Sequence, residues 1–235
     1  MEPVIRNHRG IYEPGGPSAR LIWLDDNPPT CTVTYLELQD QQTSPHHIHP
    51  WEHEVFIIEG VGTLFCDGTA YPVKGGDAIF IPGNVDHYTL NDGGQGLVRR
   101  IEVNPLTAAQ SGGAQNNGGV GSGQPPVIRN LNDMGLSPGV AHPILGTDDG
   151  VPNYSMLYRA LAPDEASPEH AHEWEHQAYI LEGSCTLTSD GKEYRVTEGD
   201  AVLVPPHASH TWWRNGDSPV RWLVFNPLSA GTPGG

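Results

Sequence analysis

Residues 46–54 read HHIHPWEHE, and residues 169–177 read EHAHEWEHQ. Three histidines of the first stretch align with three of the second at a constant offset of 123 residues (170 − 47 = 123). They are His47, His49 and His53 in the first stretch and His170, His172 and His176 in the second. A fourth pair, His87 and His210, keeps this offset and lies five residues after a proline in both cases. Eight of the 12 histidines therefore fall into two matching sets, which isolated packing or surface histidines would not do.

The repeat extends beyond the histidines. VIRN at 4–7 recurs at 127–130, DG at 67–68 recurs at 190–191, and NPL at 104–106 recurs at 226–228 with a slip of one residue. Such internal similarity indicates a duplicated folding unit. We therefore predict an N-terminal unit at 1–106 and a C-terminal unit at 127–228. Residues 107–126 and 229–235 are rich in glycine and poor in apolar side chains, which predicts a flexible linker and a flexible tail.

Short β-prone runs bounded by turn residues fill both units, and no convincing helix is seen. The Asp-Gly pairs are typical of tight hairpin turns. Many short strands favour an antiparallel sandwich or barrel, so we predict an all-β fold. The predicted strands are Thr32–Leu38, Val55–Ile58, Thr63–Cys66, Ala78–Ile81, His87–Leu90 and Leu97–Val103, followed by Ser155–Leu161, Ala178–Leu181, Ser184–Thr188, Ala201–Val204, His210–Trp213 and Val220–Phe225.

Charge and composition exclude some classes of function. The net charge is −16, and such a surface repels phosphate backbones and anionic membranes, so neither nucleic acid nor a membrane is expected as a partner. Cys31, Cys66 and Cys185 lack CxxC spacing, which fits packing roles in a reducing compartment. No signal peptide is visible, and no apolar run approaches the ~18 residues that span a bilayer. We therefore expect a cytoplasmic protein.

The spacing of each histidine set predicts convergence. Residues two apart in an extended strand point to the same side, so the two histidines of each HxH stretch should meet. The third and fourth histidines would approach from later strands. Imidazole binds most first-row transition metals, so the sequence predicts one divalent ion per unit, with iron, manganese, nickel, copper and zinc all open.

Two motifs resemble those of the cupin superfamily, and their duplication resembles a bicupin. The first cupin motif is HxH followed by a glutamate and then a glycine, here His47 to Gly60 and His170 to Gly183. The second is a glycine, five residues, a proline and a histidine, here Gly76, Pro82 and His87, and again Gly199, Pro205 and His210. The resemblance covers nearly the whole chain except the linker and tail. It implies two jelly-roll β-barrels in tandem, each with a metal site.

The chain departs from the cupin pattern at the carboxylate ligand. Glu54 fits the looser spacing, but its counterpart is Gln177, whereas His53 and His176 agree between the units. A similar run is found in a four-histidine subset of small cupins. We therefore predict the two histidines as ligands, with Glu54 as the alternative in the first unit only. Four neutral imidazoles leave the full charge of a dication, which favours an anionic or chelating oxygen ligand.

Other polar residues near the motifs are weaker candidates for catalysis. Tyr35, Tyr158 and Tyr179 could donate a proton or hold a substrate oxygen, although packing is the commoner role of a buried tyrosine. Glu52 and Glu175 could orient a ligand imidazole or simply be solvated. Trp212-Trp213 replace Thr89-Leu90 of the first unit, so the two pockets are expected to differ in shape.

Three hypotheses of function follow. The first is a metal-dependent dioxygenase-type oxidoreductase that acts on a small oxygenated organic molecule. The second is a non-redox isomerase, cyclase or decarboxylase in which the ion polarises a carbonyl group. The third is a non-catalytic module that binds a small molecule. We expect the two barrels to pack on each other, because antiparallel barrels have exposed edges. A homodimer is left open.

Overall fold

The computed structural model describes residues 2–16, 18–112, 121–214 and 219–228. The strands of the first half are β1 (Val4–Asn7), β2 (Ala19–Ile22), β3 (Cys31–Leu38), β4 (His53–Glu59), β5 (Val61–Cys66), β6 (Thr69–Lys74), β7 (Asp77–Ile81), β8 (His87–Leu90) and β9 (Val98–Pro105). Those of the second half are β10 (Val127–Asn130), β11 (His142–Leu145), β12 (Tyr154–Leu161), β13 (His176–Glu182), β14 (Ser184–Ser189), β15 (Lys192–Thr197), β16 (Asp200–Val204), β17 (His210–Arg214) and β18 (Val220–Pro227).

Helical structure is confined to short segments in the described residues. They are α1 (His8–Ile11), α2 (Leu106–Gln110) and single 3-10 turns at Leu24–Asp26, Leu131–Asp133 and Thr147–Asp149. None of these helices is long and apolar enough to cross a membrane. The all-β class expected from the sequence is confirmed.

Each half forms a jelly-roll-like barrel from a six-stranded and a three-stranded antiparallel sheet. The first barrel has the strand orders β10-β7-β4-β9-β3-β2 and β6-β5-β8. The second has β1-β16-β13-β18-β12-β11 and β15-β14-β17. The Asp-Gly pairs close the β5–β6 and β14–β15 hairpins, and both residues of each pair have positive φ angles, as a type I′ turn requires.

The first strand of each half pairs with the other half. Val4 of β1 lies opposite Leu203 of β16, and Val127 of β10 lies opposite Phe80 of β7. Each VIRN stretch thus covers an edge of the opposite barrel. Strand pairing therefore crosses the boundaries at 106 and 127 that the sequence repeat suggests.

Successive side chains along a strand point alternately into the interior of their own barrel and into an apolar layer between the two barrels. On β4, Val55 and Ile57 face the interior of the first barrel, whereas Phe56 faces the second barrel. On β13, Ile180 faces its own barrel interior, whereas Tyr179 joins Phe56 in the layer between the two six-stranded sheets. A continuous apolar core therefore joins the barrels.

The expected linker is only partly covered by the structure. Residues 107–110 continue α2, with Ala108 and Ala109 buried. Residues 113–120 of the expected linker and 229–235, the expected tail, lie outside the described residues. The cysteines expected to pack in the core, Cys31, Cys66 and Cys185, are buried free thiols.

Candidate metal centres

The structure brings together the first predicted histidine set at one end of the first barrel. One ring nitrogen from each of the four lies within 4.8 Å of the others. The Nε2 atoms of His47 and His87 are 3.0 Å apart, and those of His49 and His53 are 2.7 Å apart. His53 begins β4 and His87 begins β8, while a backbone bridge joins His47 to His87.

Hydrogen bonds at the far side of the rings decide which nitrogen is free. His49 Nδ1 lies 2.8 Å from the carbonyl oxygen of Trp51, and His87 Nδ1 lies 2.7 Å from that of Val85. Carbonyl oxygens only accept, so both Nδ1 atoms donate and both Nε2 atoms keep an unshared lone pair. The Nδ1 atom of His53 contacts the Oδ1 atom of Asn104, so the Nε2 lone pairs of His49 and His53 face each other at 2.7 Å and repel unless a cation lies between them. The residues present therefore fit a metal ion.

The electrostatic environment keeps these imidazoles neutral. Burial lowers the pKa of His49 to about 4 and the pKa values of His53 and His87 to about 3. The neighbouring imidazoles add to the effect, since a proton on one ring disfavours a proton on the next. Neutral imidazole is the form that binds metals, so the cluster is prepared for an ion at neutral pH.

The second set converges in the same way at the corresponding end of the second barrel, with ring nitrogens again within 4.8 Å of one another. His172 Nδ1 donates to the Trp174 carbonyl at 2.6 Å, and His210 Nδ1 donates to the Ala208 carbonyl at 2.9 Å. The rings are more widely spaced: the centroids of His172 and His176 are 5.9 Å apart, against 4.5 Å for His49 and His53. The second centre is thus looser.

Two tryptophans fix one ligand ring in each centre. The rings of Trp51 and His49 are stacked with centroids 4.3 Å apart and planes 8° from parallel. Trp174 and His172 repeat this contact at 4.4 Å and 5°. Both tryptophans therefore pack directly against a clustered histidine.

Polar residues that the sequence did not predict lie behind His53. The side chain of Asn104 contacts His53 Nδ1, and Asn104 Nδ2 donates to Glu102 at 3.1 Å. Although burial opposes it, the interaction with the His53 ring, the positive charge of the Arg100 side chain and the hydrogen bond from Asn104 hold the pKa of Glu102 well below its usual range. The recurrence of Asn104 as Asn226 was a signal that could have indicated this role.

The candidate catalytic tyrosines lie away from the histidines. Tyr35, Tyr158 and Tyr179 all belong to the apolar layer between the barrels. Tyr35 donates to Glu37 at 2.7 Å, and the Tyr179 hydroxyl lies 3.1 Å from His8 Nδ1. These contacts support packing with satisfied hydroxyl groups.

The acidic candidates also face the junction between the barrels. Glu52 accepts from Asn153 of the second half at 2.6 Å, and Glu175 lies 3.5 Å from Gln177, whose amide donates to the Cys31 carbonyl. Glu54 alternates with His53 on β4 and therefore points away from the histidine cluster. The alternative in which Glu54 is a ligand does not fit this geometry.

Comparison with known proteins places the fold. The sequence profile of the cupin domain matches this chain twice, at residues 34–103 and 157–226. The chain belongs to the cupin family. Its two cupin matches contain all eight clustered histidines, and the duplication makes it a bicupin, as the motifs implied.

Individual relatives are distant. A 73-residue stretch is 32% identical to gentisate 1,2-dioxygenase 1 of Aquipseudomonas alcaligenes and covers 29% of this cupin and only 21% of that enzyme. Salicylate 1,2-dioxygenase of Pseudoaminobacter salicylatoxidans, solved with gentisate, superposes with a TM-score of 0.73 at 14% identity, covering 97% of this chain and 82% of that one. A mutant oxalate decarboxylase of Bacillus subtilis gives 0.73 at 13% identity, covering 95% and 76%. These structures share the bicupin fold.

Proposed function

We propose that this bicupin is a metal-dependent oxidoreductase of the dioxygenase type that acts on a small oxygenated organic molecule. The observation that carries the proposal is the convergence of four imidazoles in each barrel, with no carboxylate in either cluster. We assign His47, His49, His53 and His87 to one divalent ion and His170, His172, His176 and His210 to the other.

The charge of each cluster favours oxygen ligands. Neutral imidazoles cancel none of the charge of a divalent ion, so an anionic or chelating oxygen donor is attracted. A bound transition metal would supply the open coordination positions for such a molecule and for O₂, and a redox-active ion would supply the electron exchange. The chain's own contribution is to hold the ligand nitrogens unprotonated and in fixed orientation.

Exposure indicates the direction of approach. His53 and His87 are buried, whereas His47 is partly exposed and His170 is exposed. A substrate would therefore reach each centre past the first histidine of its HxH stretch. Trp51 and Trp174, stacked on His49 and His172, would keep those rings in place as the substrate arrives.

The comparisons support this class of reaction and one alternative. The match to a gentisate dioxygenase and the shared fold with a salicylate dioxygenase favour oxygen chemistry on a small organic molecule. The shared fold with oxalate decarboxylase favours a second candidate, a non-redox lyase or isomerase reaction. The two differ in their need for O₂ and for a redox-active ion.

Oxygen uptake is the experiment that separates the candidates. Protein loaded separately with iron, manganese, nickel or copper is tested with a panel of enolic and catecholic compounds in an oxygen electrode. We expect uptake with at least one metal and one compound, and none from the His49→Ala/His172→Ala double variant. No uptake across the panel would contradict the oxygenase proposal, and turnover without O₂ by zinc-loaded protein would establish the non-redox alternative.

A further inference from the structure

We propose that Asn104, Glu102 and Arg100 form a positioning chain that makes the first-barrel centre bind its metal more tightly than the second-barrel centre. The inference rests on the metal-binding part of the proposed function and makes no assumption about the reaction. It comes from comparing the side chains behind His53 with those behind its counterpart, His176.

The chain runs from Thr89 on β8, in the three-stranded sheet, to His53 on β4, in the six-stranded sheet. Arg100 Nη1 donates to Thr89 Oγ1 at 2.8 Å, and its Nη2 donates to Glu102 Oε2 at 2.5 Å. The other carboxylate oxygen, Oε1, accepts from Asn104 Nδ2 at 3.1 Å. Asn104 Oδ1 contacts His53 Nδ1. His53, Arg100 and Thr89 are all buried, so water does not compete strongly for these bonds.

The direction of every bond in this chain is fixed. A guanidinium group only donates and an ionised carboxylate only accepts, so the amide NH₂ of Asn104 must face Glu102. The amide oxygen then faces His53, which must donate from Nδ1. His53 is thereby held as the tautomer whose Nε2 carries a free lone pair, the atom that faces His49 Nε2 at 2.7 Å.

The second barrel retains only the last member of the chain. The pairing of β13 with β18 puts Trp222 and Val224 where the pairing of β4 with β9 puts Arg100 and Glu102. Trp212 stands in place of Thr89, and its ring packs against Trp222 with centroids 5.6 Å apart. The charged part of the chain has been replaced by stacked indoles.

The remaining asparagine does not reach its histidine. Asn226 Oδ1 is buried without a hydrogen-bond partner among the described residues. Both ring nitrogens of His176 are also buried and also lack a hydrogen-bond partner there. No hydrogen bond in the described part of the chain selects a tautomer of His176 or orients its ring. Binding a metal there must first order the ring, and this cost lowers the affinity.

The two asparagines provide a matched pair of variants. His172→Ala leaves a protein with only the first centre, and His49→Ala leaves one with only the second. Asn104→Ala is combined with His172→Ala, and Asn226→Ala is combined with His49→Ala. Co²⁺ affinity is measured by competition with a chelating dye, and the tautomer of His53 in the metal-free protein is read from its ¹⁵N NMR shifts.

We expect the first centre to bind Co²⁺ more tightly than the second. Asn104→Ala should weaken the first centre by about 10–100-fold and raise the fraction of His53 protonated at Nε2. Asn226→Ala should leave the second centre unchanged. Equal effects of the two substitutions, or an unchanged His53 tautomer in Asn104→Ala, would overturn the inference while leaving the proposed function standing. Absence of Co²⁺ binding by both single-centre proteins would refute the metal-binding proposal and the inference together.

Discussion

Arg6 is part of β1, which pairs with β16 in the sheet of the second barrel. Its guanidinium group nevertheless binds the carboxylate of Asp26 in the first half, with one N–O distance of 2.6 Å. Arg6 Nη1 also donates to the Leu21 carbonyl at 2.9 Å. Arg129 and Asp149 repeat the pair from the other half, with N–O distances of 2.5 and 2.6 Å. Each exchanged strand is therefore tied to both barrels at once.

Asp26→Ala should lower the free energy of unfolding by about 1–2 kcal/mol, because it removes hydrogen bonds to a charged group that is partly screened by solvent. The matched control is Asp25→Ala, since Asp25 is exposed and makes no side-chain hydrogen bond in the described residues. Urea unfolding at neutral pH measures both. Equal losses in the two variants would show that the ion pair does not hold the strand.

Glu54 is buried between the barrels, and neither carboxylate oxygen has a hydrogen-bond partner among the described residues. Burial raises the pKa of Glu54 well above its usual range. Its folded-state pKa therefore exceeds the unfolded value, so the contribution of Glu54 to stability falls as pH rises above about 4.3, in the opposite sense to the contribution of the clustered histidines. The second half has Gln177 at the equivalent position, and its amide does not ionise, so it loses no stability as the pH rises.

Glu54→Gln should therefore stabilise the protein, by at least about 1 kcal/mol at pH 8, because the amide does not ionise and so avoids the cost of burying a charge. The gain should shrink as the pH is lowered, because the wild-type carboxyl group then becomes neutral at less cost. Thermal unfolding at several pH values measures this difference. A substitution that is destabilising at pH 8 would contradict the assignment of Glu54 to an unpartnered site.

The metal-free protein should lose stability steeply as pH falls below about 6.5. Burial lowers the folded-state pKa of His49 and His210 to about 4 and that of His53 to about 3, so the unfolded chain binds more protons throughout this window. We expect a falling melting temperature between pH 7 and pH 5 and a shallower slope in His53→Gln. A melting temperature independent of pH in this range would mean that the clusters are not buried as described.

The glycine that ends the first cupin motif should be irreplaceable. Gly60 has φ +96°, and a Cβ there would lie 2.2 Å from the Leu97 carbonyl oxygen. Gly68 also has a positive φ, +76°, but a Cβ would meet nothing within 4 Å. Gly68→Ala should cost roughly 1–2 kcal/mol from the left-handed backbone alone, and Gly60→Ala should cost distinctly more. Calorimetric unfolding of both variants measures the difference, and equal costs would contradict the close backbone approach.

Much of the fold could be predicted from the sequence because the repeat marks equivalent positions. Predicted strands such as Thr32–Leu38 lie within observed ones, and the Asp-Gly hairpins form where expected. The VIRN stretches were noticed as repeats but not as strands, because four residues with no alternation carry little local signal. Their exchange between the barrels depends on pairing with strands that are distant in the sequence, and a short stretch of sequence holds no information about such pairing.

The histidine clusters could be predicted because their spacing is local and duplicated. Alternation along β4 places His53 in the histidine cluster and Glu54 outside it, a register that depends on where the strand begins. Arg100 and Glu102 were missed because Arg100 meets its partner Thr89 on β8 only in the closed barrel, and Glu102 is in turn bound by Arg100. The difference between the two centres was visible in sequence as Trp212 replacing Thr89, but its consequence needed the structure.

The most direct test of this account is the number of metal ions bound per chain. Co²⁺ is titrated into the metal-free protein and counted by elemental analysis after gel filtration. The account predicts two ions per chain, one for His49→Ala or His172→Ala, and none for the double variant. Binding that is unchanged in the double variant, or no binding by the wild-type protein, would contradict it.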